Sequence, residues 1–458
     1  MNIKIKALSI ALAVLTIMGT CACGKKSSDV SSKASVGYEE MTLGKDCTDI
    51  KAELKILTNR TDLIEQDTNG RDFQDYIEEF NEMYPNIKIS YEGITNYDDD
   101  MTTRITSNDW GSICCIPSTV DKGDLSTYFE PIAAFDSLSK SYEFVDKNTY
   151  DNKVYGIPST GNVQGIVYNK RVWSEAGVDE LPHTPDEFIA ALELIDENTD
   201  AIPMYTNYAA GWALTAWDAY INAATGDSAF KNQILPHASN PFDKRDDGAG
   251  PYAVYSVLYN AVANGLTEDD PTTTDWESSK SRINNGEIAT MVLGSWAVPQ
   301  MQSAGDNFDD IGYMPFPVSM GSNLYAAASA DYCYGVNKYL TADEKTAAFL
   351  YIKFLTEKSN YAYDNGGIPI VKGEAYPTVL EAFEDAIILT DKPALEGEED
   401  LYSAVNNDSE LSLDADPTHI ARIVEAAKTG SESFDDIMSD WNDRWTDAQE
   451  RNNIEINK

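Results

Sequence analysis

The chain has 458 residues, and its 34 Lys and Arg against 76 Asp and Glu leave a net charge of −42 at pH 7. Hydrophobic residues make up 42% and aromatics 10%, including eight Trp and 26 Tyr, which suffices for large cores and excludes disorder for most of the chain. So acidic a protein repels polyanions, which excludes sequence-independent binding to nucleic-acid phosphates and leaves a neutral ligand compatible. At about 100 to 200 residues per domain, the length implies two or three units.

Residues 1–22 read as an export signal: Lys4 and Lys6 form the positive flank, and the apolar run Ala7 to Met18 is too short to cross a bilayer of about 30 Å as a helix. Ala22-Cys23-Gly24 then resembles the bacterial lipobox, in which the cysteine is lipidated; ordinary signal cleavage beside an incidental cysteine is the alternative. Residues 23–51, rich in Ser, Lys, Asp and Gly, read as a flexible tether.

The folded part is expected from Ala52. Glu53-Leu-Lys-Ile-Leu57 alternates like a strand, Phe73, Tyr76, Ile77, Phe80, Met83 and Tyr84 recur at helical spacing up to Pro85, and Ile87-Lys-Ile-Ser-Tyr91 alternates again. A helix over Tyr97 to Ser107 and a strand over Gly111 to Ile116 continue this β-α-β pattern, which predicts an α/β sheet of mostly parallel strands. Further strands are predicted at 154–157, 165–168 and 288–293, and helices at 185–195, 250–264, 342–356 and 417–428.

Motifs for catalysis are missing. The three histidines, His183, His237 and His419, are far apart and read as loop or helix-cap residues. No nucleophile elbow, His-Glu-x-x-His pair or phosphate-binding loop occurs. Asp243-Lys-Arg-Asp-Asp247-Gly248 fails as a calcium loop, because Arg245 takes the third ligand position and Val254 the twelfth. Cys47, Cys114, Cys115 and Cys333 read as free thiols without zinc spacing. A glycosidase carboxylate pair stays open, since any two acids can converge in a fold.

Binding residues are better represented. Trp296 lies in Leu293-Gly-Ser-Trp-Ala-Val-Pro299 after an apolar strand, and Trp212 and Trp217 share one segment. Aromatic rings at strand ends stack on the apolar face of a pyranose while carboxylates, amides and Arg bond its hydroxyls. A core role is the alternative for each Trp. Asn59, Arg60 and Asp62 follow the first strand, and Ser118, Thr119 and Asp121 follow the third; turn and cap chemistry is their alternative, and it suits Arg60 least.

Tyr155-Gly-Ile-Pro-Ser-Thr-Gly-Asn-Val-Gln-Gly-Ile-Val-Tyr-Asn-Lys170, Gly286-Glu-Ile-Ala-Thr-Met-Val-Leu-Gly-Ser-Trp296 and Tyr334-Gly-Val-Asn-Lys338 occur in an order that resembles the family 1 extracellular solute-binding proteins of carbohydrate ABC importers. The resemblance implies a periplasmic-binding-protein-like α/β fold, two α/β lobes joined by a multi-crossover hinge with the ligand cleft between them. Lobe one would be 52–160 plus 330–358 and lobe two 161–329 plus 359–458, with crossovers near Pro158 to Gly165, Ala326 to Tyr332 and Leu355 to Tyr363. It also implies stacking by Trp296, a first polar loop at Arg60 to Asp62, and cleft positions for Asn162 and Gln164. Asn162 stands where the maltodextrin-binding member has a carboxylate, a departure that argues against maltose.

The expected protein is thus a monomeric, lipid-anchored binder on the extracytoplasmic face of the membrane. It would deliver a carbohydrate, an oligosaccharide of xylo, manno or gluco type, to ABC permease subunits, with no cofactor, metal or turnover. A secreted glycosidase and a binder of a non-sugar solute are the alternatives.

Overall fold

The computed structural model describes residues 37–64, 71–321 and 323–456. The proposed signal and lipidation site at Cys23 lie outside these residues.

The first sheet begins where the alternation places it. Strand Ala52–Thr58 pairs in parallel with Ile87–Gly93 and with Ile113–Cys115. Helix Phe73–Met83 connects the first two, opened by an Asp72 capping box and burying Phe73, Tyr76, Ile77 and Phe80. Cys333–Val336 and Gly156–Pro158 complete the sheet, antiparallel to their neighbours. In the second sheet the almost wholly buried strand Gly161–Asn169 is central. It pairs antiparallel with Thr290–Gly294, Ile311–Pro315 and Asn323–Ala330, and the last pairs in parallel with Ile387–Leu389.

The expectation of mostly parallel strands therefore fails in the second sheet, for a topological reason. Strands built by β-α-β units end at the edge facing the other lobe. Gly161–Asn169 and Cys333–Val336 arrive from the other lobe, so they enter at that edge and run against their neighbours.

The chain passes between the sheets after Pro158 and again after Ala330. The third passage lies later than expected. Tyr361 belongs to the lobe-one core, its ring centroid 6.3 Å from Phe73 and 5.5 Å from Tyr76. Ile368 then touches the lobe-two core, Ile370 returns to lobe one, and Leu380 and Phe383 pack in lobe two.

The tether expected to reach residue 51 is also shorter. Tyr38, Met41 and Leu43 are buried in the lobe-one core, with Tyr142 Oη donating to Glu357 Oε1 at 2.5 Å beside Tyr38. Their apolar side chains are too sparse in this polar stretch to show a periodicity.

The C-terminal helix Phe434–Arg451 buries Trp441 and Trp445 in lobe two. His419 is likewise a core residue rather than a loop or cap histidine, its Nε2 2.9 Å from the buried Asp218. Cys114, Cys115 and Cys333 are buried free thiols, and burial pushes Cys115 and Cys333 up to about 12.

Candidate functional site

Three tryptophans meet on lobe two. The rings of Trp212 and Trp276 are 5.1 Å apart in an edge-to-face arrangement, and Trp296 lies 5.6 Å from the first and 5.7 Å from the second. Trp212 is 47% exposed, an unusual state for so large a ring, and Trp276 and Trp296 are half-buried.

Each ring is held by local chemistry. Trp296 follows strand Thr290–Gly294, anchored by the Ser295 hydroxyl, which accepts from Val163 N at 3.2 Å. Gly294 is required here, because a Cβ would lie 2.5 Å from Trp296 Nε1. Trp276 opens helix Trp276–Asn285, capped by Asp275, whose own N–H donates to Tyr205 Oη at 2.8 Å. Trp212 stands on an irregular segment entered through Asn207 at φ 56°. The buried Glu268 carboxylate fixes that segment, accepting from Thr206 N at 3.0 Å and from the Thr206 hydroxyl, while Thr274 Oγ1 accepts from Ala209 N at 2.7 Å. Burial holds the Glu268 carboxyl above its ordinary range despite these bonds.

Lobe one contributes a charged cluster. Arg60 bonds Asp62 through two parallel hydrogen bonds of 2.9 and 2.7 Å and donates to Asn365 Oδ1 at 2.8 Å. Burial would raise the Asp62 carboxyl, but the Arg60 charge outweighs it and holds the group below its usual range. Lys280, one turn beyond Trp276 and 5.0 Å over its ring, acts on Asp62 in the same direction, which sets the charged loop opposite the tryptophans. Nearer the hinge, Ser118 Oγ donates to Asp98 Oδ2 at 2.8 Å, and Tyr332 Oη donates to the same oxygen at 3.2 Å. Among the described residues no cluster of His, Cys, Asp and Glu is placed to hold a metal ion.

The family model for bacterial extracellular solute-binding proteins matches residues 65–362. The chain belongs to that family. A manno-oligosaccharide-specific solute-binding protein from Bifidobacterium animalis subsp. lactis, solved with mannotriose, is 45% identical over 92% of this chain and 99% of its own, with a TM-score of 0.87. A second binding protein of an ABC transporter from that organism, solved with mannobiose, is 46% identical over 91% and 99%, with a TM-score of 0.86. A multiple sugar-binding protein of Streptococcus mutans is 25% identical over 72% of this chain and 81% of its own.

Within this solute-binding protein, the residues singled out from sequence fall into distinct settings. Arg60 and Asp62 are brought together, with Asn59 half-buried in the turn before them. Trp212 and Trp296 meet, and Gln164 lies beside Trp296 across Gly294. Asn162 is buried, with its Oδ1 unpartnered. Ser118 and Thr119 are exposed and tied to the neighbouring helix, Thr119 Oγ1 lying 2.5 Å from Thr102 Oγ1, and Asp121 is exposed at the head of a short turn.

Trp217 is a correction. It is 2% exposed and packs edge-on against Phe316 at 5.8 Å, so it is a core residue and leaves the candidate set. Trp276, Lys280 and Asn365 were missed. Trp276 begins a helix instead of ending a strand, and Asn365 lies in the passage that was expected earlier in the chain. A cavity of about 670 Å³ on the flank, lined by Lys170, Phe308 and Tyr363 among others, shares no residue with the tryptophan trio.

Proposed function

We propose that this protein captures a manno-oligosaccharide outside the cell and hands it to the permease subunits of an ABC importer. The observation that carries the reading is the part-exposed trio Trp212, Trp276 and Trp296 opposite the Arg60–Asp62–Asn365 cluster. Apolar ring faces next to charged and amide hydrogen-bonding groups suit a ligand whose rings are apolar on their faces and hydroxylated at their rims. The 45% identity to a mannotriose-bound protein supports manno-linked units over the xylo and gluco alternatives.

The lobes close about the three passages, with Asn59 and Gln164 beside the stacked sugar and Ser118, Thr119 and Asp121 at its margin. A lipid on Cys23 holds the monomer at the membrane. Binding without turnover is the expected role in a solute-binding family, and Asp62, gripped by Arg60 and held below its usual range, is a poor general acid.

Tryptophan fluorescence titration with mannobiose, mannotriose, xylotriose, cellotriose and maltotriose tests the reading. A response to the manno series at the lowest concentrations is expected. Saturable binding confined to another series would overturn the substrate class, and release of shortened products after long incubation would overturn the binding-only role.

A further inference from the structure

Four neighbouring strands carry Trp296, Asn162, Ser329 and Asp391 at, or two residues beyond, the lobe-two edge that faces lobe one. Gln164, two residues after Asn162, pairs with Gly294, and two residues past Gly294, where the chain turns into helix Ala297–Ser303, Trp296 folds its indole back beside Gln164. Asn162 pairs with Ser329. Ala327 pairs in parallel with Leu389, the last residue of its strand, and Asp391 follows two residues beyond it, towards the Ser329 end of the neighbouring strand. The row of four strands that leads to Trp296, Asn162, Ser329 and Asp391 spans three inter-strand steps, about 14 Å. One such step is close to the length of a pyranose unit, so the row matches three units laid end to end. The tryptophan trio occupies one end only.

The other end has its own polar equipment. Asp391 is an exposed residue whose Oδ1 accepts from Asn222 Nδ2, and its Oδ2 has no partner among the described residues. Asn222 is 4% exposed, and its Oδ1 is buried without a partner, as is Oδ1 of Asn162 in the same row. Lys231, paired with Asp414 at 2.8 Å, lies close enough to act on Asp391. From lobe one, the charge of Asp146 reaches Asp391, and Lys147 Nζ donates to the Ala330 and Asp331 carbonyls at 3.2 and 3.1 Å. This end therefore faces the other lobe, as the trio does. What it adds to the aromatic trio is a carboxylate oxygen.

We propose that Asp391, held in place by Asn222, is a distal hydroxyl-binding subsite that selects saccharides of three units over two. The inference rests on the sugar reading of the cleft and adds a length criterion to it. A disaccharide stacked on the trio spans Trp296 to Ser329 and ends short of Asp391. A third unit brings a hydroxyl to the free carboxylate oxygen, forming a charge-assisted hydrogen bond that the shorter ligand lacks.

Calorimetric titration of mannobiose and mannotriose against wild type, Asp391→Asn and Asn222→Ala tests this. Asp391→Asn keeps the shape, removes the charge and serves where a truncation fails to fold; thermal melts establish that each variant is folded. Both variants are expected to weaken mannotriose about tenfold or more and to leave mannobiose within about twofold, the signature of one lost charge-assisted bond. Equal losses for both sugars, or none for either, with wild type binding normally, would overturn the subsite alone. Failure of wild type to bind either sugar would overturn the manno-oligosaccharide reading and the subsite with it.

Discussion

Replacing Trp212 by alanine removes the most exposed ring of the trio. Trp212 is 47% exposed, which leaves roughly 120 Å² of an indole able to bury up to about 250 Å². A stacked pyranose covering half or all of that area removes about 60 to 120 Å² from water, worth about 1.5 to 3 kcal/mol at ~25 cal/mol per Å². Affinity should therefore fall roughly 10- to 150-fold. The apo protein also loses two ring contacts, to Trp276 and Trp296, each contributing about 0.5 to 1.5 kcal/mol, so a moderate fall in melting temperature is expected. Trp217→Ala supplies the contrast, since emptying a core site should cost about 3 to 5 kcal/mol of stability. Calorimetric titration with mannotriose, paired with apo melts, separates the two. Trp212→Phe keeps a ring and should recover part of the affinity. If Trp212→Ala binds mannotriose within twofold of wild type, the ring does not touch ligand and the stacking argument is wrong.

Trp296→Ala should weaken binding by about 2 to 4 kcal/mol with the fold retained; unchanged affinity in a destabilised apo protein would make it a core residue. Glu268→Ala leaves the Thr206 N–H and hydroxyl without their acceptor, at about 1 to 3 kcal/mol for a buried donor, and should loosen the Trp212 segment. Its mark is a lower mannotriose affinity and altered tryptophan emission in a folded protein, and unaltered emission would count against the positioning role. For His419, burial lowers the pKa but the Asp218 charge outweighs it, so the folded value stands above the ordinary 6.5. A raised histidine stabilises fully below about pH 6.5, and the contribution fades as pH rises through the folded value. Wild type should therefore lose more melting temperature than His419→Gln between about pH 6 and pH 9, and parallel melting curves would contradict the linkage. Cys23→Ser should abolish incorporation of labelled fatty acid during expression, and equal labelling would remove the lipid anchor.

How far the fold was legible follows from which strands have local causes. Ala52–Thr58, Phe73–Met83 and Ile87–Gly93 are close to the elements expected from alternation and helical spacing, because their buried positions recur at a local period whatever they pack against. Strand direction in lobe two was not legible. Whether Gly161–Asn169 runs with or against Thr290–Gly294 is decided by the end from which it enters, and that depends on a passage between lobes with no periodicity of its own. The helix carrying Trp441 and Trp445 escaped notice because its exposed face is dense with acids, leaving apolar residues only at Phe434, Ile437, Met438, Trp441, Trp445 and Ala448.

The site divides along the same line. Trp296 could be found because it ends a strand, and Gly294 before it has a physical reason to be glycine: the indole edge lies where a Cβ would be. Arg60 stood out because a guanidinium is a poor cap, and its partner Asp62 lies two residues away. Asn365 bonds the same guanidinium across 305 positions of sequence, and Trp276 joins Trp212 and Trp296 from a helix start, so nothing local marks either as a partner. Trp217 shows the reverse error. It shares a short segment with Trp212, yet five residues of tight helical turn carry it into the core while Trp212 stays in the opening. What sequence proximity cannot supply here is the direction in which a ring points. That direction is set by Asn207 in its left-handed conformation and by Glu268 from a distant loop, so the Trp212 face of the site depends on a buried carboxylate that itself stays out of the cleft.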